Sequence, residues 1–504
     1  MSWNKDPYRI LGVTSDATIE DIKSAYRLMA RRLHPDTNPN NAAAAGQFQD
    51  VTTAHELLTN PSRRRTYDDN MQRLRKNSKN LYYSLQTILS KRIVVPMPEP
   101  QVMYYLLNIT PDARAVEQTK KDSNNNSRMN LTLVLDQSNS MNGARIEKVK
   151  VAAHQIIDNL SHEDVLSVVS FNDRPSVIID ATLVKDKPAL KTKVSLINAS
   201  GSTEIYQGLV AGLAEARKFL DPKMVNHIIL LTDGHTFGDE KKCLELASNA
   251  AKEGIGISAM GLGHDWNDKF LDELASKTGG TSSHVTSAAA VVRFLNDHVR
   301  SLSNSFAERL QLSVATDADV RLESAFKLAP NPQPLDVENG IIPLGTLQHG
   351  RLVSILLQFQ LPSNMEEGTR SVARLAVSGD ILANTPVEFT EIVDPTVEVN
   401  NRPPREEPPT QILDALSKLT LYRLQERAEE ALQTGNVDEA TRRLENLATR
   451  LLELGKKELA SQALSEAKRV AHTSALSQKG RMTLKYQTRH LLTDGDADMP
   501  PIDD

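Results

Sequence analysis

The sequence predicts a multidomain chain with an N-terminal α-helical module, an α/β domain with a doubly wound parallel sheet, an antiparallel β-sandwich and a C-terminal α-helical region. Three observations support this fold class. The length of 504 residues exceeds that of an ordinary single domain. In the middle of the chain, continuous apolar runs of strand length alternate with helical patterns, which indicates a parallel sheet. The patterns at both ends of the chain have helical periodicity.

Composition and charge exclude several classes of protein. The net charge of -5 is small for this length, so we do not expect a nucleic-acid-binding protein. Cys243 is the single cysteine, which rules out an intramolecular disulfide and suggests no zinc site. The first residues lack a signal-peptide pattern, and no apolar run reaches the roughly 18 residues of a membrane span. We therefore expect a soluble, cytoplasmic protein.

Changes in pattern divide the chain into seven segments. They are the helical module at 1–70, a basic helical connector with a candidate β-sandwich strand at 71–128, the α/β domain at 129–303, the antiparallel β module at 304–400, a linker at 401–408, a helical hairpin region at 409–492 and an acidic, disordered tail at 493–504.

The N-terminal module is predicted to contain two amphipathic helices joined by the loop "HPDTNPNN". Pro35 ends the first helix, since the residue before a proline avoids helical geometry. Lys23, Arg27 and Arg31 lie four residues apart and form a basic stripe on one face of this helix. The apolar face opposite comprises Ile19, Ile22, Tyr26, Met29 and Leu33.

The region from about residue 305 to residue 400 has the alternation of antiparallel strands, as in "RLVSILLQFQL", with turn signals between the runs. We interpret residues 102–110 as a strand of the same module, which predicts that the α/β domain is inserted into a β-sandwich. Residues 409–492 are predicted to form consecutive helices broken at Gly435, Gly455 and Gly480. They resemble a helical hairpin of tetratricopeptide type, although no 34-residue repeat is present.

Oxygen-bearing side chains follow the buried strands of the α/β domain. Asp136 ends the strand "LTLVLD", and Asp233 ends the strand "HIILLTD". Ligands bind outside the carboxyl ends of parallel strands, so these two carboxylates are expected to converge. Ser138 and Ser140 follow Asp136 closely, and Thr203 brings another hydroxyl from a loop that precedes a helix.

This set of two carboxylates and three hydroxyls suits a hard cation, Mg²⁺ best, with Mn²⁺ and Ca²⁺ as alternatives. Two carboxylates provide little negative charge for binding a divalent ion. An open coordination position would therefore attract an acidic oxygen from a protein partner. The alternative interpretation is that Asp136 and the serines only cap the following helix.

The "DQSNS" segment, the Thr203 loop and "TDG" resemble the DxSxS…T…D pattern of the metal-ion-dependent adhesion site (MIDAS) in von Willebrand factor A domains, over residues 129–303. The resemblance implies a Rossmann-like fold. It also implies that Ser138, Ser140 and Thr203 are direct or near-direct ligands, while Asp136 and Asp233 often act through water. A partner's Glu or Asp completes the coordination shell.

The segments "DPYRILGV", "IKSAYRLMARRLHPDTN" and "NPSRRRTYD" resemble a J-domain over residues 5–70. The resemblance implies that His34, Pro35 and Asp36, with the basic stripe, contact a DnaK-type chaperone and stimulate its ATP hydrolysis. The alternative interpretation is a proline helix stop beside a solvated helix face. No Gly/Phe-rich region and no CxxC repeats follow, so the usual client-binding parts are replaced.

Together these features predict a non-enzymatic adaptor that brings a DnaK-type ATPase to a partner captured through Mg²⁺, aiding assembly or remodelling of a complex. Two alternatives stay open. One is a scaffold or partner for an AAA+ ATPase in metal insertion or complex maturation. The other is a Mg²⁺-dependent hydrolase, although the sequence has no Walker-type GxxxxGK[ST] motif and no GxSxG motif.

Overall fold

The chain divides into two compact units, Met1–Leu81 and Tyr82–Asp504, and each is described by itself. The computed structural model describes residues 7–11, 13, 17–33, 42–68, 83–112, 127–234, 238–263, 266–285, 287–317, 319–337, 340–382, 387–402 and 406–493.

The N-terminal unit is helical, as predicted. Its described helices are α1 (Pro7–Ile10), α2 (Ile19–Leu33), α3 (Ala42–Thr59) and α4 (residues 61–68). Ile22 of α2 is fully buried against Val51 and Leu58 of α3, and Tyr26 stacks on His55 at 4.1 Å between ring centroids. Ile19 was predicted on this apolar face, but it is 36% exposed. It lies in the first turn of α2, at the edge of the contact with α3.

Arg64 of α4 has a structural role. Its Nε donates to the Tyr8 hydroxyl at 2.7 Å, and its Nη2 donates to the Ala17 carbonyl at 2.9 Å. The Tyr8 hydroxyl in turn donates to Asp68 at 2.9 Å. The sequence neighbours of Arg64, Arg63 and Arg65, are exposed. The arginine run of α4 therefore ties α1 to α4 through its middle member and leaves the other two in solvent.

The α/β domain has the predicted parallel sheet. Its six strands within the described residues run in the order β6-β5-β4-β7-β8-β9. All neighbouring pairs are parallel except β5 and β6, which are antiparallel at one edge. The strands are β4 (Met129–Asp136), β5 (Val165–Phe171), β6 (Pro175–Leu183), β7 (Val225–Thr232), β8 (Gly256–Leu262) and β9 (Ser282–Val285).

Helices cover both faces of this sheet. They are α5 (Ala144–Asn159), α6 (Lys187–Ser195), α7 (Ile205–Arg217), α8 (Glu240–Glu253), α9 (Asp268–Ser276) and α10 (Ala288–Ser303). Successive side chains of a strand point to opposite faces. Leu133 of β4 accordingly packs in the core with α5, α6 and α10, while Val134 packs with α7, α8 and α9. Burial on both faces explains why these strands have continuous apolar runs.

Strands on both sides of the α/β domain in sequence form a β-sandwich. The described residues give a five-stranded sheet, a four-stranded sheet and a three-stranded sheet, with the orders β1-β3-β14-β11-β12, β13-β10-β16-β17 and β15-β18-β2. The strands are β1 (Tyr83–Leu89), β2 (Ile93–Val94), β3 (Gln101–Pro111), β10 (Ser305–Thr316), β11 (Arg321–Ala329), β12 (Gln333–Leu335), β13 (Ile341–Gln348), β14 (Val353–Leu361), β15 (Gly368–Ser371), β16 (Ala373–Ile381), β17 (Val387–Val393) and β18 (Thr396–Val399).

The pairing of β3 with β14 confirms the predicted insertion. The two strands are antiparallel from Gln101 opposite Leu361 to Ile109 opposite Val353, and the α/β domain lies between them in sequence. The core between the sheets joins side chains from both parts of the chain, for example Leu107 with Phe306. The predicted helix of the connector at 71–128 is wrong over β1. That segment is a strand because it pairs along its length with β3.

The C-terminal region folds into helices in its described part: α11 (Thr410–Gln433), α12 (Val437–Glu453), α13 (Lys457–Thr473) and α14 (Gln478–Thr493). The first two breaks are at Gly435 and Gly455, which have φ values of 77° and 75°. Gly480 does not break a helix as predicted but lies inside α14. The Glu466 carboxyl fills the space that a Cβ at 480 would need, and the chain turns instead at Ser474, with φ 55°.

The C-terminal helices pack on both other parts of this unit. Ile412 and Leu419 of α11 cover Leu106 and Phe326 on the outer face of the five-stranded sheet. Helix α14 contacts α9 of the α/β domain through the α9–α14 ion network, which comprises Asp268, Asp272, Arg481, Lys485 and Arg489. Among the helices that the structure describes, none is long and apolar enough to span a membrane.

A buried carboxyl on β10 predicts a pH-dependent stability. Burial raises the pKa of Glu308 to about 8, and the charge of Asp380 adds to the effect. The folded-state pKa of Glu308 lies above the unfolded value of about 4.3. The contribution of Glu308 to the free energy of unfolding is therefore complete in acid and is lost as the pH rises through 8. Glu308→Gln should therefore raise the free energy of unfolding at pH 9 by at least about 1 kcal/mol relative to wild type. Denaturant titrations at pH 5 and pH 9 check this, and an equal effect at both values would contradict it.

Candidate functional site

Asp136 stands at the carboxyl end of β4 and is fully buried. The Thr232 hydroxyl, at the end of the neighbouring strand β7, donates to Asp136 Oδ2 at 2.6 Å. The backbone N–H of Ser138 donates to the other oxygen, Oδ1, at 2.8 Å. Both carboxylate oxygens are therefore fixed by the strand ends and by the loop that follows β4.

The electrostatics of Asp136 indicate a site short of positive charge. Burial raises the pKa of the Asp136 carboxyl, and the nearby negative charge of Asp233 adds to it, while hydrogen bonds from Thr232 and Ser138 act in the opposite direction. A carboxylate withdrawn from water is costly unless a cation or several donors compensate it. Its position therefore favours binding of a cation.

Ser138, Ser140 and Asp233 form a hydrogen-bonded chain. The Ser140 hydroxyl donates to Asp233 Oδ1 at 2.6 Å, and the hydroxyls of Ser138 and Ser140 are 2.9 Å apart. Since Ser140 has one proton and gives it to the carboxylate, Ser138 is the donor in the second bond. The chain joins the loop after β4 to the end of β7.

Thr203 is brought to the same edge of the sheet by backbone contacts of its loop. The N–H of Ser200 donates to the carbonyl of Gln137 at 2.7 Å, and the N–H of Asn139 donates to the carbonyl of Gly201 at 3.0 Å. The Thr203 hydroxyl is 3.1 Å from the point where Gly234 would carry a Cβ. The structure thus places all five predicted residues at the strand ends, four of them in direct hydrogen-bonded contact and Thr203 against the glycine after Asp233.

Three further residues shape this site and were not predicted. Thr232 donates a hydrogen bond to Asp136, and Arg145 binds Oδ2 of Asp233. Gly234 has no side chain to approach the Thr203 hydroxyl. Thr232 and Gly234 flank Asp233 within "TDG", so their proximity to the site was readable from the sequence. Arg145 follows the "DQSNS" segment in the first turn of α5, and its direction depends on how α5 packs.

The residues present fit a hard divalent ion. The donors are carboxylate and hydroxyl oxygens, which such ions prefer. The site contains two carboxylates, and the single guanidinium of Arg145 pairs with that of Asp233, so the sum of formal charges is negative. Within the described residues, no group of three or more His, Cys, Asp or Glu side chains could hold a metal ion. A metal at this edge of the sheet would therefore depend on the hydroxyls of Ser138, Ser140 and Thr203.

The basic stripe is exposed on α2 of the N-terminal unit. Lys23, Arg27 and Arg31 all lie in solvent. Arg27 donates to the carbonyl of Lys23 at 3.3 Å and to the hydroxyl of Ser24 at 3.2 Å, contacts made within the helix itself. His34, Pro35 and Asp36 lie outside the described residues, so the structure makes no statement on them.

Comparison with family models identifies three parts of the chain. Residues 6–68 match the DnaJ domain, residues 130–297 match the von Willebrand factor type A domain, and residues 410–494 match the Sll0103-like, C-terminal alpha-helical domain. The chain therefore carries a DnaJ domain followed by a von Willebrand factor A domain, as the sequence predicted. The C-terminal helices, which resemble a tetratricopeptide-type hairpin in sequence, thus match the model of a different family.

Relatives match different parts of the chain. "Uncharacterized protein sll0103" of Synechocystis sp. is 29% identical over 333 residues, which are 64% of this chain and 78% of the relative. "Chaperone protein DnaJ 2" of Mycolicibacterium paratuberculosis is 54% identical over 65 residues, or 13% of this chain. This chain spans only 17% of the length of that chaperone. The likeness to it is therefore confined to the N-terminal module.

Solved structures share the fold of the larger unit. The von Willebrand factor type A protein from Catenulispora acidiphila aligns with a TM-score of 0.64 at 16% identity, over 81% of this chain and 96% of that chain. The ArnB paralog VWA2 from Sulfolobus acidocaldarius aligns with a TM-score of 0.51 at 15% identity, over 82% of this chain and all of that chain (100%). At such identities the likeness concerns the fold alone. The DnaJ domain implies a DnaK-type partner, and its combination with a von Willebrand factor A domain supports a chaperone-adaptor role in general.

Proposed function

We propose that this protein is a co-chaperone that recruits and stimulates a DnaK-type ATPase at a protein partner, which its von Willebrand factor A domain captures through Mg²⁺. The observation that carries the proposal is the hydrogen-bonded chain from Ser138 through Ser140 to Asp233, beside the buried carboxylate of Asp136. Assembly or remodelling of the partner's complex is the outcome that this arrangement would serve.

The hydroxyls of Ser138, Ser140 and Thr203 would hold the ion, with the carboxylates of Asp136 and Asp233 behind them. When bound, Mg²⁺ supplies an open coordination position for a carboxylate of the partner. The chain itself supplies rigidity. Thr232 and the Ser138 backbone fix Asp136, so that the carboxylate does not need to reorganise when the ion arrives.

We propose no catalytic reaction at this site. Its described contacts join carboxylates, hydroxyls and one guanidinium, a set that suits capture of an ion and an acidic group. The fold supports many functions, so the proposal depends on this site and not on the fold. Mn²⁺ would serve the same role in the octahedral geometry that Mg²⁺ prefers, and Ca²⁺ would do so with a larger and more variable coordination number.

Recruitment of the chaperone is assigned to the N-terminal unit. The basic stripe offers three cations on one exposed helix face, which favours an acidic surface on the chaperone. His34, Pro35 and Asp36 are assigned to the same contact from the DnaJ-domain match. In this proposal the cations attract the chaperone, and His34, Pro35 and Asp36 stimulate its ATP hydrolysis.

The rate of ATP hydrolysis by a purified DnaK-type chaperone tests this assignment. Full-length protein should accelerate hydrolysis, and His34→Gln should abolish the acceleration. Lys23→Glu with Arg27→Glu should weaken it by about tenfold or more, because like charges then oppose docking. Arg63→Glu with Arg65→Glu makes the same change of charge on exposed residues of α4 and should leave it intact.

Two outcomes would remove the proposed mechanism. One is a wild-type protein that leaves the ATPase rate unchanged. The other is a His34→Gln variant that stimulates as well as wild type. An equal loss in the two double variants would assign the effect to overall charge and not to the basic stripe.

A further inference from the structure

Arg145 places a positive charge directly at the candidate metal site. It lies in the first turn of α5, and its guanidinium binds Asp233 Oδ2 and donates to the carbonyl of Ser140 at 3.1 Å. The Asp233 side chain is fully buried, whereas 42% of the Arg145 side chain is exposed. Arg145 therefore enters from solvent and reaches a carboxylate that solvent does not.

The two oxygens of Asp233 have different partners. Oδ1 accepts from the Ser140 hydroxyl, inside the hydrogen-bonded chain of the site, and Oδ2 accepts from Arg145. The guanidinium also lies beside Gly263, the residue after β8, where a Cβ would be 3.4 Å from Nη2. Arg145 therefore occupies one oxygen of Asp233 and leaves the hydrogen bond from Ser140 to the other oxygen in place.

Charge at the site decides what Arg145 does to a divalent ion. The two negative charges of Asp136 and Asp233 would balance the two positive charges of such an ion and leave no net charge. With Arg145 included, the loaded site carries one net positive charge. Two cations that share one carboxylate repel each other, and in a partly buried site this repulsion is weakly screened. An incoming carboxylate would relieve it.

We propose that Arg145 is a tethered cation that weakens binding of the divalent ion on its own and couples it to binding of an acidic ligand. This inference rests on the proposed metal-dependent capture and adds its regulation. Arg145 would keep a net positive charge on the ion-loaded site until a carboxylate of the partner binds. The site would then hold its ion firmly only together with a partner.

Titration of full-length protein with Mn²⁺ tests the inference, with free Mn²⁺ followed by electron paramagnetic resonance and acetate added as a carboxylate probe. Arg145→Gln should lower the Kd for Mn²⁺ by about tenfold, because the repelling charge is removed. Acetate should tighten Mn²⁺ binding by wild type and have less effect on the variant. Arg145→Lys keeps the charge and should retain both wild-type properties.

Lys148→Gln is the matched control, since it removes the same charge from an exposed position on the same helix. It should leave both measurements unchanged. If Arg145→Gln binds Mn²⁺ as wild type does or more weakly, Arg145 is a structural clamp and the inference is overturned. If wild type itself binds no Mn²⁺, the proposed metal site fails first, so the two failures are distinguishable. Thermal melts in EDTA verify that each variant is folded.

Discussion

Asp136→Asn should reduce the affinity for Mg²⁺ or Mn²⁺ by about 100-fold or more. The substitution keeps the shape of the side chain but removes one of the two negative charges that would balance the ion, and a divalent ion bound to oxygen ligands depends on that charge. Binding of an ion to the native state raises stability. Mg²⁺ should therefore raise the Tm of wild type and leave the Tm of Asp136→Asn unchanged.

Asp164→Asn is a demanding control for this result. Asp164 is also buried and also holds β4, since its Oδ1 accepts from the N–H of Met129 at 2.8 Å, at the opposite end of the strand. This variant should lose stability while keeping its response to Mg²⁺. If Asp136→Asn and Asp164→Asn respond to Mg²⁺ alike, Asp136 is structural and the loop after β4 is only a helix cap.

Asp272→Ala should destabilise the Tyr82–Asp504 unit by about 3–5 kcal/mol, because it removes the carboxylate that pairs with the buried Arg489 and one of the two that pair with Lys485. Asp272 of α9 accepts a bidentate contact from Arg489 at 2.9 and 2.6 Å and an ion pair from Lys485 at 2.8 Å. Both cations are more than nine-tenths buried. The free energy of unfolding from denaturant titration measures the loss.

Glu273→Ala removes the next carboxylate on α9, which is exposed, and should change stability by less than about 0.5 kcal/mol. The difference between the two variants should also depend on pH. Burial alone would raise the pKa of Asp272, but Arg489 and Lys485 outweigh it and hold the pKa below its ordinary value. Such a contribution is present above about pH 4 and lost as pH falls further. A difference that stays constant down to pH 2.5 would contradict this account of the ion network.

The ion network also bears on how the unit is built. Arg481 donates to Asp268 at 2.8 Å, and Tyr486 packs beside Trp266 with ring centroids 5.9 Å apart. These contacts attach the C-terminal helices to the von Willebrand factor A domain on the side of α9. The same helices cover the sandwich through α11. The C-terminal region is therefore part of one packed unit, and its removal should expose both surfaces.

Parts of the site could be predicted because local sequence determined them. Asp136 and Asp233 directly follow apolar strands, and parallel topology alone places both at one edge of the sheet. Thr203 was proposed from its place in a loop before a helix and supported by the resemblance to a known family, but the backbone bonds that hold its loop to Gln137 and Asn139 are encoded by no local pattern. Arg145 was missed for the same reason, because its contact with Asp233 spans 88 positions in sequence.

The two errors in the fold have a related cause. Strand β1 lies in the segment predicted as a basic helical connector, whereas its conformation follows from pairing with β3. Gly480 was predicted to break a helix, but it accommodates Glu466 inside α14, and Ser474 makes the turn. In each case a tertiary contact overrode a local preference.

Capture of partners from native lysate tests the central claim most directly. Wild-type protein and Asp136→Asn would each be immobilised and incubated in Mg²⁺ or in EDTA. The account predicts a partner that is recovered only by wild type in Mg²⁺, together with a DnaK-type chaperone, and that is released by EDTA. Recovery of the same proteins in all four samples would show that the von Willebrand factor A domain captures nothing through a metal, and the proposed adaptor mechanism would be wrong.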